Sequence, residues 1–317
     1  MRALVRSIAA LVCLTTTVAA QDPPRRVFRS AASAVAVDVT VRDRTRRSVT
    51  GLAAADFHIY DNGVLQQVDA VSYGKVPIDV TIALDVSYSV TGALLERLRR
   101  GVVQLMRDLG REDRLRLLLF NMRVTRVTPF TRDVKLVEES LRAASAGGGT
   151  ALYDAVSVAL VSASAAAADR RHLVVFFTDG NDSSSATTPE TLSAVAQRTR
   201  ATLTFVMPAT TSAPLFILYG VPGKNMTPPP TTVRLTPVFP AHAVFSRLAA
   251  ETGGALLPVG PSSDLSATFR TVLSDFRSAY VLYFTPRGVD GAGYHTIEVK
   301  TSRDGAVVQA RRGYFGS

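Results

Sequence analysis

Residues 80–89 read V-T-I-A-L-D-V-S-Y-S, an apolar, β-favouring run that breaks into an acid followed by two hydroxyls at alternate positions. A short run that is apolar throughout, without polar alternation, describes a strand buried on both faces. Such burial requires a parallel sheet covered by helices on each side. The point where polarity returns, D-x-S-x-S, then falls at the carboxyl edge of the sheet, where open α/β folds gather their ligands.

The chain downstream fits that requirement. Leu94, Leu95, Leu98, Val102, Leu105, Met106 and Leu109 recur at helical spacing, with Arg97, Arg100 and Arg107 on the other face and Gly110 as a stop. Residues 115–120 form a strand and 124–130 a shorter one beside it. A helix over 134–144 starts near Thr131 or Asp133. The turn S-A-G-G-G-T at 145–150 feeds an Ala/Val-rich helix over 152–168, whose Asp154 and serines mark a helix packed inside a protein rather than a membrane span. Residues 173–178, L-V-V-F-F-T, make a second fully apolar strand closing on Asp179 and Gly180. A helix from Pro189, a strand at 203–207, a helix at 243–251, a strand at 255–259 and a helix at 265–276 continue the alternation, interrupted by a Pro/Thr-rich excursion at 208–240.

Both ends of the chain follow a different rule. Residues 35–41 alternate V-A-V-D-V-T-V, with Asp38 and Thr40 off the core face, and Asp61-Asn62-Gly63 signals a hairpin between 57–60 and 64–68. Too few strands lie there to bury a core alone, and the final forty or so residues supply the partner with strands at 280–284, 296–300 and 306–310. The predicted class is α/β: a doubly wound, mostly parallel, Rossmann-like sheet with helices on both faces, plus a small β-sandwich built from both chain ends. Its expected parts are a signal peptide (1–20), a linker (21–29), one part of the sandwich (30–75), the α/β domain (76–277) and the rest of the sandwich (278–317).

The signal peptide rests on Arg2 and Arg6, an apolar run over 8–18 and small residues up to Ala20. Cys13, the single cysteine, lies within it, so the mature chain has no disulfide and no span, and periplasm or medium is the expected location. A net charge of +10 comes mostly from arginines spread along the chain. No basic stretch interleaves with aromatics, which argues against nucleic acid.

The candidate chemistry lies in Asp85, Ser87 and Ser89, Thr150 after its glycines, and Asp179 after its strand. Alone, the first three read equally well as caps for the following helix. With Thr150 and Asp179 they become an all-oxygen set suited to a hard cation, Mg²⁺ (or Mn²⁺ or Ca²⁺), and unsuited to zinc or copper. Mg²⁺ so held keeps waters and an exchangeable position, open to a partner's Asp or Glu. Asp154 and Asp182 are candidates for supporting positions around it. His58, His172, His242 and His295 lack ligand spacing and read as structural or exposed.

At D-x-S-x-S, G-G-T-A-L-Y-D-A and F-F-T-D-G the chain resembles the von Willebrand factor type A domain with its metal-ion-dependent adhesion site, over about 77–277. The resemblance implies that Ser87 and Ser89 bind the metal directly, and that Thr150, Asp85 and Asp179 do so directly or through water. D-V-T-V-R-D, G-L-A-A-A-D-F-H-I-Y-D-N-G and the closing R-R-G-Y-F are similar to a related family of exported acidobacterial proteins. The excursion at 208–240 is longer than that pattern leads one to expect.

Catalysis finds little support. No G-x-S-x-G, H-E-x-x-H or G-x-x-x-x-G-K-[ST] occurs, and the position after Asp85-x is Ser87, where an aspartyl phosphotransferase pattern would have a second Asp. The expected function is that of a non-enzymatic exported module binding a partner protein through a divalent cation. The alternatives are an envelope component whose metal only stabilises the fold and, behind that, a metal-dependent hydrolase.

Overall fold

In the computed structural model of the chain, the described residues are 34–88, 90, 92–164, 169–208, 240–260 and 262–316, the side chains of 164, 208, 240 and 241 excepted. The expected signal peptide and linker lie outside them, as do residues 209–239 of the excursion. The elements run β1 (Val35–Arg42), β2 (Phe57–Asp61), β3 (Val64–Gln66), β4 (Ala70–Tyr73), β5 (Ile78–Asp85), α1 (Gly92–Asp108), β6 (Arg114–Phe120), β7 (Val124–Val127), α2 (Val134–Arg142) and α3 (Leu152–Ser164). They continue with β8 (Arg171–Phe177), α4 (Pro189–Arg198), β9 (Thr202–Pro208), α5 (Pro240–Thr252), β10 (Leu256–Val259), α6 (Leu265–Arg277), β11 (Tyr280–Phe284), β12 (Gly293–Thr301), β13 (Val307–Ala310) and β14 (Gly313–Gly316).

The apolar strand at the heart of the sequence is β5, and every one of its residues is buried. It sits inside a six-stranded sheet of order β10-β9-β8-β5-β6-β7. All pairings are parallel except β7, which runs antiparallel to β6 at the edge. Alternation along β5 feeds two cores. Val80, Ile82 and Leu84 face α1, α2 and α6, whereas Ala83 faces α3, α4 and α5. Gly101 lets α1 approach α6, since a Cβ there would stand 3.0 Å from the Phe269 ring. Capping follows the sequence signals: the Asp133 carboxylate accepts from Lys135 and Leu136 N–H, and the Thr188 hydroxyl accepts from Thr191 N–H before Pro189.

Strands from the two chain ends interleave in two further sheets, β13-β1-β11-β4 and β14-β12-β2-β3, both antiparallel. Val37, Val39 and Val41 from one end meet Tyr280, Leu282 and Phe284 from the other, with Phe57, Ile59 and Ile297 closing the core from the second sheet. The buried Tyr280 ring packs edge-on to Phe57 at 5.2 Å between centroids, and its hydroxyl donates to the Val49 carbonyl and accepts from Leu52 N–H. The off-core face of β1 does not simply meet water: Asp38 pairs with Arg171 at the start of β8 (2.6 Å), and Arg171 lies 3.9 Å over the Phe276 ring of α6. Two strands are not announced by periodicity, β4 and β14. The helix expected over 152–168 runs Leu152–Ser164, with 165–168 outside the described residues.

Candidate metal centre

The carboxyl ends of β5 and β8 point into the same crevice as the N-terminus of α3. Asp85 closes β5 and is fully buried. One carboxylate oxygen accepts the Ser87 N–H at 2.8 Å and the other accepts the Thr178 hydroxyl at 2.9 Å. Burial pushes the Asp85 carboxyl above the usual carboxylate range, against the pull of hydrogen bonds from Ser87 and Thr178, and the charge of nearby Asp179 pushes the same way. Among the described residues Asp85 forms no ion pair, whereas Asp79 does. Ser87 is 3% exposed and Thr150 6%, while Asp179 is half-buried. Ser89 lies outside the described residues.

The other end of β5 shows what a buried aspartate in this protein has when its partner is protein. Asp79, also fully buried, takes Arg114 at 2.7 Å and Arg170 at 2.7 Å. Burial opposes its ionisation, yet the hydrogen bonds and charges of the two guanidinium groups hold its carboxyl below the usual range. Two buried carboxylates on one strand thus have opposite electrostatic settings.

Backbone bonds knit the loops of the crevice together. Tyr88 N–H donates to the Gly148 carbonyl (3.2 Å) and Gly147 N–H to that of Val86 (2.8 Å). Thr150 N–H donates to the Ser183 hydroxyl (2.9 Å), while the Thr150 carbonyl accepts from Ser183 and Ser184 N–H. A Cβ on Gly149 would fall 2.6 Å from Ser183 Oγ, so a side chain there would require that hydroxyl to move. The structure therefore brings Asp85 and Asp179 together, with Ser87 hydrogen-bonded to Asp85, and ties the Thr150 loop to the one that follows Asp179.

Asp182 and Asp154 sit one step behind. The Asp182 carboxylate accepts from Leu152 N–H (2.7 Å) and Tyr153 N–H (3.2 Å), satisfying the start of α3 from a different loop. Asp154 accepts from Ala186 and Thr187 N–H, fixing that loop in return. Thr178 and Ser183 were not singled out by sequence reasoning. The only signal was their adjacency to Asp179 and Asp182 in F-F-T-D-G-N-D-S-S-S. His242 on α5 lies beside Gly180, where a Cβ would come within 3.9 Å of its ring. Among the described residues no group of three or more His, Cys, Asp or Glu side chains converges, so acids alone do not build this donor set.

Fold and crevice define an open α/β domain whose ligand-type residues sit at the carboxyl ends of neighbouring strands. Residues 79–212 match the family model of the von Willebrand factor type A domain; the strands of the chain ends, and the central unit beyond residue 212, fall outside the match. Solved structures that align with the chain include an aerotolerance-related membrane protein from Bacteroides fragilis NCTC 9343 with multiple mutations to serines, at 17% identity over 63% of this chain and 98% of that one, TM-score 0.41. The conserved hypothetical protein BatB from Bacteroides thetaiotaomicron aligns at 18% identity over 63% and 98%, TM-score 0.42. The PilB minor pilin from Streptococcus sanguinis aligns at 11% identity over 64% and 62%, TM-score 0.44. No curated protein matches the chain.

Proposed function

We propose that Asp85, Ser87, Ser89, Thr150 and Asp179 hold a divalent cation, Mg²⁺ or else Mn²⁺ or Ca²⁺, through which an exported protein binds a partner presenting an Asp or Glu. The observation that carries this is Asp85: a fully buried carboxylate with a second acid beside it and, among the described residues, no ion pair, at the opposite end of the strand from an aspartate that has two arginines. Buried like charges are costly unless a counter-charge offsets them. A hard divalent ion fits a donor set of carboxylates and hydroxyls, and when bound it supplies a coordination position for an outside carboxylate. The protein's own contribution is rigid placement: Thr178 orients Asp85, and Ser183 with Asp182 holds the Thr150 loop. Among the described residues no helix is long and apolar enough to cross a membrane. Export rests on the leader-like first twenty residues, and binding in place of catalysis rests on a donor set spent on holding an ion.

The test is capture of partners from the envelope and secreted proteins of the source cell by immobilised protein. Capture in Mg²⁺ that disappears with EDTA and with Asp179→Ala, while circular dichroism shows both proteins folded, is the expected result. Capture indifferent to metal and to Asp179 contradicts it, and thermal stabilisation by Mg²⁺ with no metal-dependent capture assigns the ion a purely structural role.

A further inference from the structure

The edge of the central sheet opposite the crevice borders a cavity of about 90 Å³, several times the space one water needs. Thr202 and Thr204 of β9 line it together with Asp275 of α6, while Thr40 and Arg42 of β1 and Gln309 of β13 line it from the chain-end sheet. This lining is short of partners. Thr202 and Thr204 are 6% and 5% exposed, and among the described residues nothing bonds their hydroxyls or that of Thr40. Arg42 gives Nη2 to Asp275 at 2.7 Å, a half-buried pair, but its Nε is buried with no hydrogen-bond partner. A buried N–H without an acceptor is costly. The charge around the cavity is unbalanced in the same direction. Arg171, whose guanidinium lies 3.9 Å over the lining ring of Phe276, and Arg311, beside the lining Gly253, are both buried. Asp38 bonds Arg171 at 2.6 Å and its charge also reaches Arg311, so one carboxylate serves two guanidinium groups. Among the described residues Arg311 forms no ion pair, and Nη2 of each arginine is buried without a partner. Water would satisfy the donors without balancing the charge, whereas an anion would do both.

We infer that this cavity binds a small tetrahedral oxyanion of the phosphate or sulfate class, held by Arg42 Nε–H and the hydroxyls of Thr40, Thr202 and Thr204. Its volume limits the occupant to a group of that size, free or at the end of a larger molecule that reaches out past Arg42 and Asp275. An ion so held bonds β1 and β9 at once, and occupancy therefore fastens the chain-end sheet to the α/β domain. The site is separate from the crevice and does not depend on a cation there.

Calorimetric titration of the full chain with inorganic phosphate, sulfate and glycerol phosphate tests this, at an ionic strength held constant with NaCl. EDTA in the buffer keeps divalent ions out of the measurement. The expected result is saturable binding of one oxyanion per chain, with a Tm that rises with its concentration beyond what chloride gives. Arg42→Met should weaken that binding about tenfold or more, and Thr204→Val about fivefold. The second variant removes an unbonded hydroxyl at nearly constant volume, and circular dichroism checks that both remain folded. Tighter binding of phosphate than of glycerol phosphate assigns a free ion to the cavity, and the reverse order assigns a phosphate carried by a larger molecule. No saturable binding of any of the three, or binding that either variant keeps at full strength, overturns the assignment.

Discussion

Asp85 is the residue on which the account turns, and Gly149 is the one that shows how narrowly its surroundings are set. Ser183 Oγ accepts Thr150 N–H at 2.9 Å, in a place where a Cβ on Gly149 would stand only 2.6 Å from that oxygen. Gly149→Ala displaces Ser183 and with it Thr150, so Mg²⁺ affinity drops about tenfold or more in a calorimetric titration, on the scale seen when supporting contacts of metal ligands are lost. Unchanged affinity would show that Thr150 is held by other means. The strand-end positions of Asp85 and Asp179 and the place of Thr150 before α3 were legible in the sequence because each follows a recognisable break, from an apolar strand or a glycine run into polar residues. The bonds of Thr178 to Asp85 and of Ser183 to Thr150 were not, because a Thr or Ser in a Ser/Thr-rich loop has no local pattern that distinguishes a buried hydrogen-bond partner from a solvated hydroxyl.

At the scale of elements, β5 is a strand with a protein-paired acid at one end. Asp79 has its pKa depressed by Arg114 and Arg170, so its contribution to stability is full above the ordinary carboxylate range and fades as pH falls through its lowered folded value. Denaturant unfolding near neutrality should show Asp79→Asn destabilised by about 3 kcal/mol, the low end for a broken buried pair because Arg114 keeps 38% of its side chain exposed. As pH falls through that lowered value the difference narrows; a gap that stays constant with pH contradicts the ion-pair account. In the sandwich, Asp61 of β2 accepts from the His295 ring of β12 at 2.8 Å and from the Tyr314 hydroxyl of β14 at 2.7 Å, and all three sit against the core. Burial, then Asp61, pushes the Tyr314 phenol well up, so it remains a donor throughout the usual pH range. Tyr314→Phe should cost about 1 to 2 kcal/mol of unfolding free energy, and wild-type stability would mean that the hydroxyl is dispensable to the buried carboxylate. That cluster also explains why β14 escaped sequence reading: G-Y-F-G has no alternation, and the strand is defined by its register against β12 and by Tyr314 reaching Asp61. The longer apolar strands were legible because burial on both faces leaves a continuous run.

At the scale of the molecule, the chain ends close a core that neither owns. β1 lies between β11 and β13, so removal of residues 278–317 leaves Val37, Val39 and Val41 without their facing strands. The truncated chain should lose cooperative unfolding and be cleaved within 34–73 by a protease that spares the full chain, and full protection of that segment would contradict the shared core. The pairing of the ends was legible because each end is too short to bury its own apolar face. How the sandwich meets the α/β domain was not legible, since it depends on single contacts such as Arg171 with Asp38 and Gln309 Nε2 with the Gly253 and Gly254 carbonyls. The central claim is that one crevice of this molecule is completed by a divalent cation. Calorimetric titration of EDTA-treated, dialysed protein with Mg²⁺ tests it most directly. The account predicts a single saturable site, a rise in unfolding free energy of about 2.7 kcal/mol at a hundredfold excess over Kd, and loss of both in Asp85→Ala and Asp179→Ala. No saturable binding of Mg²⁺, Mn²⁺ or Ca²⁺, or binding that both variants retain, would contradict it.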